Sequence, residues 1–79
     1  MAEKGIFTWS NTSAELTYDV QDSIAYIENF DKQGYDFLLR LHVGDQVQLM
    51  KSNELLKFVL LDLTEDSGQI KFKAQLVKP

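Results

Sequence analysis

The last third of the chain constrains the fold most. In QIKFKAQLV (69–77), Ile70, Phe72, Ala74 and Leu76 alternate with Lys71, Lys73 and Gln75. A period of two sends successive side chains to opposite faces, so this segment reads as a half-buried strand with its lysines in water. The polar stretch TEDSG (64–68) precedes it and reads as a turn, with Gly68 available for a positive φ. Before that, LLKFVLLDL (55–63) is a nearly unbroken apolar run. Pattern alone fits either a buried strand or a helix capped by Ser52 or Asn53. The short link to 69–77 favours a hairpin, with the run as a central strand. Leu55, Leu56, Val59, Leu60 and Leu61 exceed what one sheet face hides, and a second subunit would cover the other face.

The same alternation recurs upstream. AELTYDV (14–20) places Ala14, Leu16, Tyr18 and Val20 on one face, and QVQLM (46–50) points Val47 and Leu49 inward after the turn pair Gly44 and Asp45. GIFTW (5–9) reads as a short strand. Two segments keep two readings. SIAYIENF (23–30) spaces Ile24, Ile27 and Phe30 as a helix would after a Ser23 cap, but its β-branched and aromatic residues suit a strand. DFLLRLHV (36–43) offers Asp36 as an N-cap, with Phe37, Leu38 and Leu41 as a stripe and Gly44 as a stop, which reads as one short turn of helix.

A chain of 79 residues makes one domain, residues 1–79, and buries roughly 60–65% of its unfolded surface. With no cysteine, disulfides and thiolate metal sites are excluded. A net charge of −4 and no lysine–arginine cluster argue against nucleic acid as a partner, because phosphate binding needs a basic patch. Lys71, Lys73 and Lys78 are the densest basic group. MAEKGIFTWS lacks the apolar stretch of a signal peptide, and no segment approaches a membrane span, so no export signal and no membrane partner are expected.

Chemistry is sparse. NFDKQGYDFLL (29–39) crowds Asn29, Asp31 and Asp36 around Gly34. An EF-hand needs oxygens at positions 1, 3, 5 and 12 with glycine at 6. Counting from Asp31 gives Gln33 and Tyr35 at the third and fifth positions and glycine at the fourth. A calcium site of another geometry would use Asp31, Asp36 and backbone carbonyls; the favoured, structural reading is that Gly34 takes a strained turn while the Asp36 carboxylate accepts from backbone N–H groups, a cap worth about 1 kcal/mol. His42 is the only histidine, and Ser10, Ser13, Ser23, Ser52 and Ser67 lie in no nucleophile motif. Glu15, Asp19, Asp22, Glu28, Asp62, Glu65 and Asp66 read as solvated faces and turns rather than a glycosidase pair, for which a domain this small leaves little cleft. The glycines at 5, 34, 44 and 68 form no phosphate loop. Trp9, Tyr18, Tyr26 and Tyr35 fit an interface or glycan surface and, better, a core. Neither an enzyme nor a cofactor is expected.

The order of these features resembles a small β-rich module that recurs in bacteriophage virion proteins of the tail fibre, baseplate and neck. Its elements stand here as G-x-x-x-W (Gly5 to Trp9), then a strand running into D-x-x-G-x-D (Asp31, Gly34, Asp36). A G-D-x-φ-x-φ stretch follows (Gly44, Asp45, Val47, Leu49; φ apolar), and a closing hairpin turns at Gly68. The resemblance covers nearly the whole chain through short motifs. It departs from the module in standing alone and in KSNELLK (51–57), which is poorer in Asp and Asn. It implies 23–30 as strand and 36–42 as the one short helix. The implied fold is mainly β, a barrel-like or sandwich domain of about six strands. It further implies a structural role in the virion, after synthesis in the host cytoplasm, through edge strands and apolar patches that contact other virion proteins or further copies. Residues 1–9 are then a partner-contacting arm, with Ile6, Phe7 and Trp9 as contact residues. The alternatives are a phage-encoded inhibitor of a host enzyme and a carbohydrate-binding receptor module using Trp9 or Tyr35.

Overall fold

The computed structural model describes residues 2–51 and 53–77. Ser52, one of the two caps considered for the 55–63 run, lies outside them, as do Lys78 and Pro79. The strands form two meanders. The first comprises β1 (Glu3–Trp9), β2 (Thr12–Gln21) and β3 (Ile24–Asn29); the second comprises β4 (Gln46–Lys51), β5 (Glu54–Asp66) and β6 (Gln69–Leu76). Asp22 and Ser23 have φ of 53° and 67°, and Ser67 and Gly68 have φ of 53° and 83°. These are two-residue turns whose twist matches the strands they join. Ser23 therefore turns a hairpin and caps no helix. Most of TEDSG is strand, because β5 runs to Asp66 and only Ser67 and Gly68 turn.

The meanders close on each other along two antiparallel seams. β1 meets β4 through Ile6↔Met50, Phe7↔Leu49 and Thr8↔Gln48, and β3 meets β6 through Ile24↔Gln75, Ala25↔Ala74 and Tyr26↔Lys73. The strand order β1-β2-β3-β6-β5-β4 makes a closed barrel, and the period-two alternation fills its bore. Phe7, Leu16, Tyr18, Val47, Leu49, Phe58 and Leu60 are fully buried, and the Phe7 and Tyr18 rings meet edge to face at 5.4 Å. The 55–63 run is a strand, as its hairpin link required. Its inward residues are Leu56, Phe58, Leu60 and Leu63, while Leu55 and Leu61 face solvent. Leu61 is an extra residue, since Leu60 pairs with Ala74 and Asp62 with Lys73. Such a bulge bends the strand as the barrel closes.

The single helix, α1, lies earlier than its stripe suggested, at Lys32–Leu39 rather than 36–42. Asp31, not Asp36, is the N-cap: its backbone is extended and its Oδ1 accepts from Gly34 N–H at 2.9 Å. An Asp at N-cap reaches the amide three residues on, so D-x-x-G starts the helix instead of preceding it. Gly34 accordingly takes no strained turn. It is helical, and a Cβ there would stand 2.7 Å from Leu16 Cδ2 and 2.9 Å from Phe30 Cβ, so a hydrogen is needed for α1 to lie against β2. Asp36 is exposed on the outer flank. Past Leu39 the chain tightens, with Leu41 N–H donating to Leu38 O at 3.1 Å. Gly44, at φ 97°, serves the next turn rather than the helix end. Asp45 holds that turn by accepting from His42 N–H at 2.8 Å.

The N-terminal segment is no arm. Residues 3–9 are β1, hydrogen-bonded to β2 on one side and β4 on the other. Their alternation of apolar and polar residues is what builds them into the wall.

Candidate contact surface

Closure splits the three expected contact residues between two faces. Phe7 is fully buried, and Trp9 points the same way, half-buried against the core. Only Ile6 faces outward, at 47% exposure. Register then gives it two companions. Ile6 pairs with Met50 and Met50 with Leu55, so one row crosses β1, β4 and β5 on the outside of the barrel. Met50 and Leu55 are each 51% exposed. Directly opposed side chains in neighbouring strands stand about 5 Å apart, so the three form one continuous apolar strip. The next row of the same face is polar: Thr8, Gln48 and Lys57 in register. Glu15 continues the strip's own row on β2, and Lys4 flanks it on β1. An apolar centre with a polar rim is the anatomy of a protein contact site. Strand parity carried a signal for Met50, which shares a face with Gln46 and Gln48. Nothing local revealed that Met50 lies between Ile6 and Leu55.

The polar groups that cooperate sit elsewhere, at one mouth of the barrel. Tyr18 sends its hydroxyl out of the core to donate to Glu3 Oε2 at 3.2 Å, and Lys51 Nζ approaches the same oxygen at 2.9 Å. The Lys51 hydrogen bond and charge hold the Glu3 carboxyl below the usual carboxylate range, and Glu3 raises Lys51 in return. Burial pushes the Tyr18 hydroxyl up. This cluster closes the barrel end with paired charge, and Glu3 and Lys51 remain solvated.

An open groove of about 580 Å³ runs between α1 and the β1–β2 turn, lined by Thr12, Ser13, Lys32, Gln33, Asp36, Phe37 and Arg40. Lys32, Asp36 and Arg40 recur every fourth residue on one helix flank, so their charges alternate and support the helix. His42 is exposed, 3.9 Å from the Asp45 carboxylate through Nδ1, and no serine hydroxyl is bonded to it among the described residues. Also among the described residues, no three acidic or histidine side chains cluster as metal ligands, and no polar or charged side chain is buried. Asp31, Gly34, Asp36, Gly44, Asp45 and Gly68 do not converge; they belong to the helix start, its flank and two separate turns.

The fold is thus a six-stranded antiparallel barrel with one short helix and an apolar strip on its outer wall. Compared with known proteins, the chain matches no family model, no curated protein and no solved structure.

Proposed function

We propose that this chain is a non-enzymatic structural protein of a bacteriophage particle, acting by protein–protein contact as a tail, neck, fibre or capsid attachment module. The observation that carries the contact mode is the Ile6–Met50–Leu55 strip, three half-exposed apolar side chains in register with a polar border. Its placement in a particle draws on the order of the sequence motifs. The strip presents on the order of 300 Å², the size of the largest apolar patch on many monomers and well below the ~800 Å² per partner of a standard interface. One copy therefore holds weakly, and useful affinity comes from many copies engaging a symmetric partner at once. The partner face it fits is apolar and ringed by polar groups.

The test is quantitative mass spectrometry of purified particles from cells infected by the encoding phage. The chain is expected at a stoichiometry set by particle symmetry, and Met50→Lys is expected to lower incorporation at least tenfold while leaving the thermal midpoint of the purified chain unchanged. Absence of the wild-type chain from particles, or normal incorporation of Met50→Lys, refutes the reading. Removing residues 1–9 is not a usable test, because it deletes a wall strand.

A further inference from the structure

The β5–β6 hairpin outruns the barrel. β4 follows β5 only as far as Val59, after which the Gly44 and Asp45 turn bonds Leu60 and leaves. β3 follows β6 only from Lys73 to Gln75. Beyond those points residues 61–66 and 69–72 pair with each other and, among the described residues, with no third strand. The inner face of this overhang is occupied: Ile70 and Phe72 are buried, Leu63 packs on the core, and Tyr35 donates to Glu65 at 3.2 Å. Its two edges are not. In a two-residue hairpin the pair flanking the turn is hydrogen-bonded and alternate pairs aim their N–H and C=O outward. Leu63 and Glu65 on one edge, and Ile70 and Phe72 on the other, therefore present strand-pairing groups to the outside.

We propose that this overhang is a self-assembly element in which the β5 edge of one copy pairs, antiparallel, with the β6 edge of the next. Charge selects the partner. The outward face carries Asp62, Thr64 and Asp66 along β5 and Gln69, Lys71 and Lys73 along β6, all exposed. Asp62, Lys71 and Lys73 form no ion pair among the described residues. Two β6 edges brought together set lysine on lysine, and two β5 edges set aspartate on aspartate; like charges directly opposite are destabilising. An unlike pair of edges sets aspartate against lysine. Charged edges ordinarily prevent strand addition, and here they prevent only the two like-to-like pairings. A like-to-like contact stops at two copies, whereas an unlike contact is head-to-tail and closes into a ring or continues as a filament. This extends the contact reading by naming a second copy as a partner, and it uses a surface apart from the Ile6–Met50–Leu55 strip.

Sedimentation of the full chain at low salt, up to about 1 mM, tests it in the range where interfaces below standard size associate. Wild type is expected to pass beyond dimer, and added salt to reverse this. K71E/K73E and D62K/D66K are each expected to weaken association at least tenfold, and their equimolar mixture to restore it. Either variant also sets like charges across the hairpin itself. Should they unfold, the fourfold reversal D62K/D66K/K71E/K73E decides: it keeps both kinds of complementarity and associates as wild type does, with the same reversal by salt. A monomer throughout, assembly that stops at two, assembly that added salt leaves unchanged, or a fourfold reversal that folds and stays monomeric overturns the proposal. Assembly without incorporation into particles overturns the virion reading alone; incorporation of a chain that stays monomeric overturns this one alone.

Discussion

Gly34→Ala should destabilise this protein, although alanine for glycine inside a helix ordinarily does the reverse. Gly34 lies within α1, where alanine is favoured by about 1 kcal/mol in a free helix. Against that stands the space a methyl would enter, 2.7 Å from Leu16 Cδ2 and 2.9 Å from Phe30 Cβ. Leu16 is fully buried, so its Cδ2 gives way only by repacking against its neighbours. The Phe30 atom is a Cβ, so it retreats only if the backbone moves. Forcing one carbon into a packed site of this kind costs about 1–3 kcal/mol. The net loss is then about 1 kcal/mol, or roughly 4–8 °C in Tm for a domain of this size. Urea unfolding of the two chains measures it. The control is the double mutant: Leu16→Ala removes the nearer obstacle at a cost of about 2–5 kcal/mol, and adding Gly34→Ala to it should cost less than in wild type. If Gly34→Ala is as stable as wild type or more so, the close approach of α1 to β2 does not govern this position and the argument fails.

The same unfolding assay reads three further outcomes. Asp31→Ala should lose about 1 kcal/mol with the cap, and Asp36→Ala less than about 0.5 kcal/mol, an order that inverts if Asp36 is the cap. Asp22 and Ser23 hold left-handed backbone without a glycine, so Asp22→Asn with Ser23→Gly should gain about 1 kcal/mol. Because Lys51 depresses the Glu3 carboxyl, that pairing contributes stability in full above the unfolded value of about 4.3 and loses it as pH falls through the lower folded value. Glu3→Gln should therefore flatten the acid limb of stability against pH, as Lys51→Met should too. Lys51 and Tyr18 are both raised, so their contributions are complete below about pH 10 and fade as pH rises through the folded values.

Much of the barrel was legible in the chain because period-two alternation is a local signal. The runs at 14–20, 46–50 and 69–77 all became strands with the faces read for them, except that Val20, near the end of β2, is exposed. What misled was punctuation. Gly34 looks like a breaker until Leu16 and Phe30 are seen to require it, and D-x-x-G-x-D offers two aspartates for one cap. The contact strip was hidden for a different reason. Ile6, Met50 and Leu55 are unremarkable singly, and only the closing seam between β1 and β4 puts them in a row. Phe7 was misplaced for the matching cause: an apolar residue near a terminus suggests an arm until the strand is found to be wall.

The two seams also bear on how the chain reaches its fold. Within each meander, paired strands are close in sequence, so those pairings form early and cost little loop entropy. Each seam joins residues forty or more positions apart, such as Ile6 to Met50 and Ile24 to Gln75, through three register pairs. Barrel closure is then expected to come last, because its contacts carry the larger loop-closure cost. Substitutions along the seams should quicken unfolding and leave the folding rate nearly untouched, whereas those in the β5–β6 hairpin should slow folding.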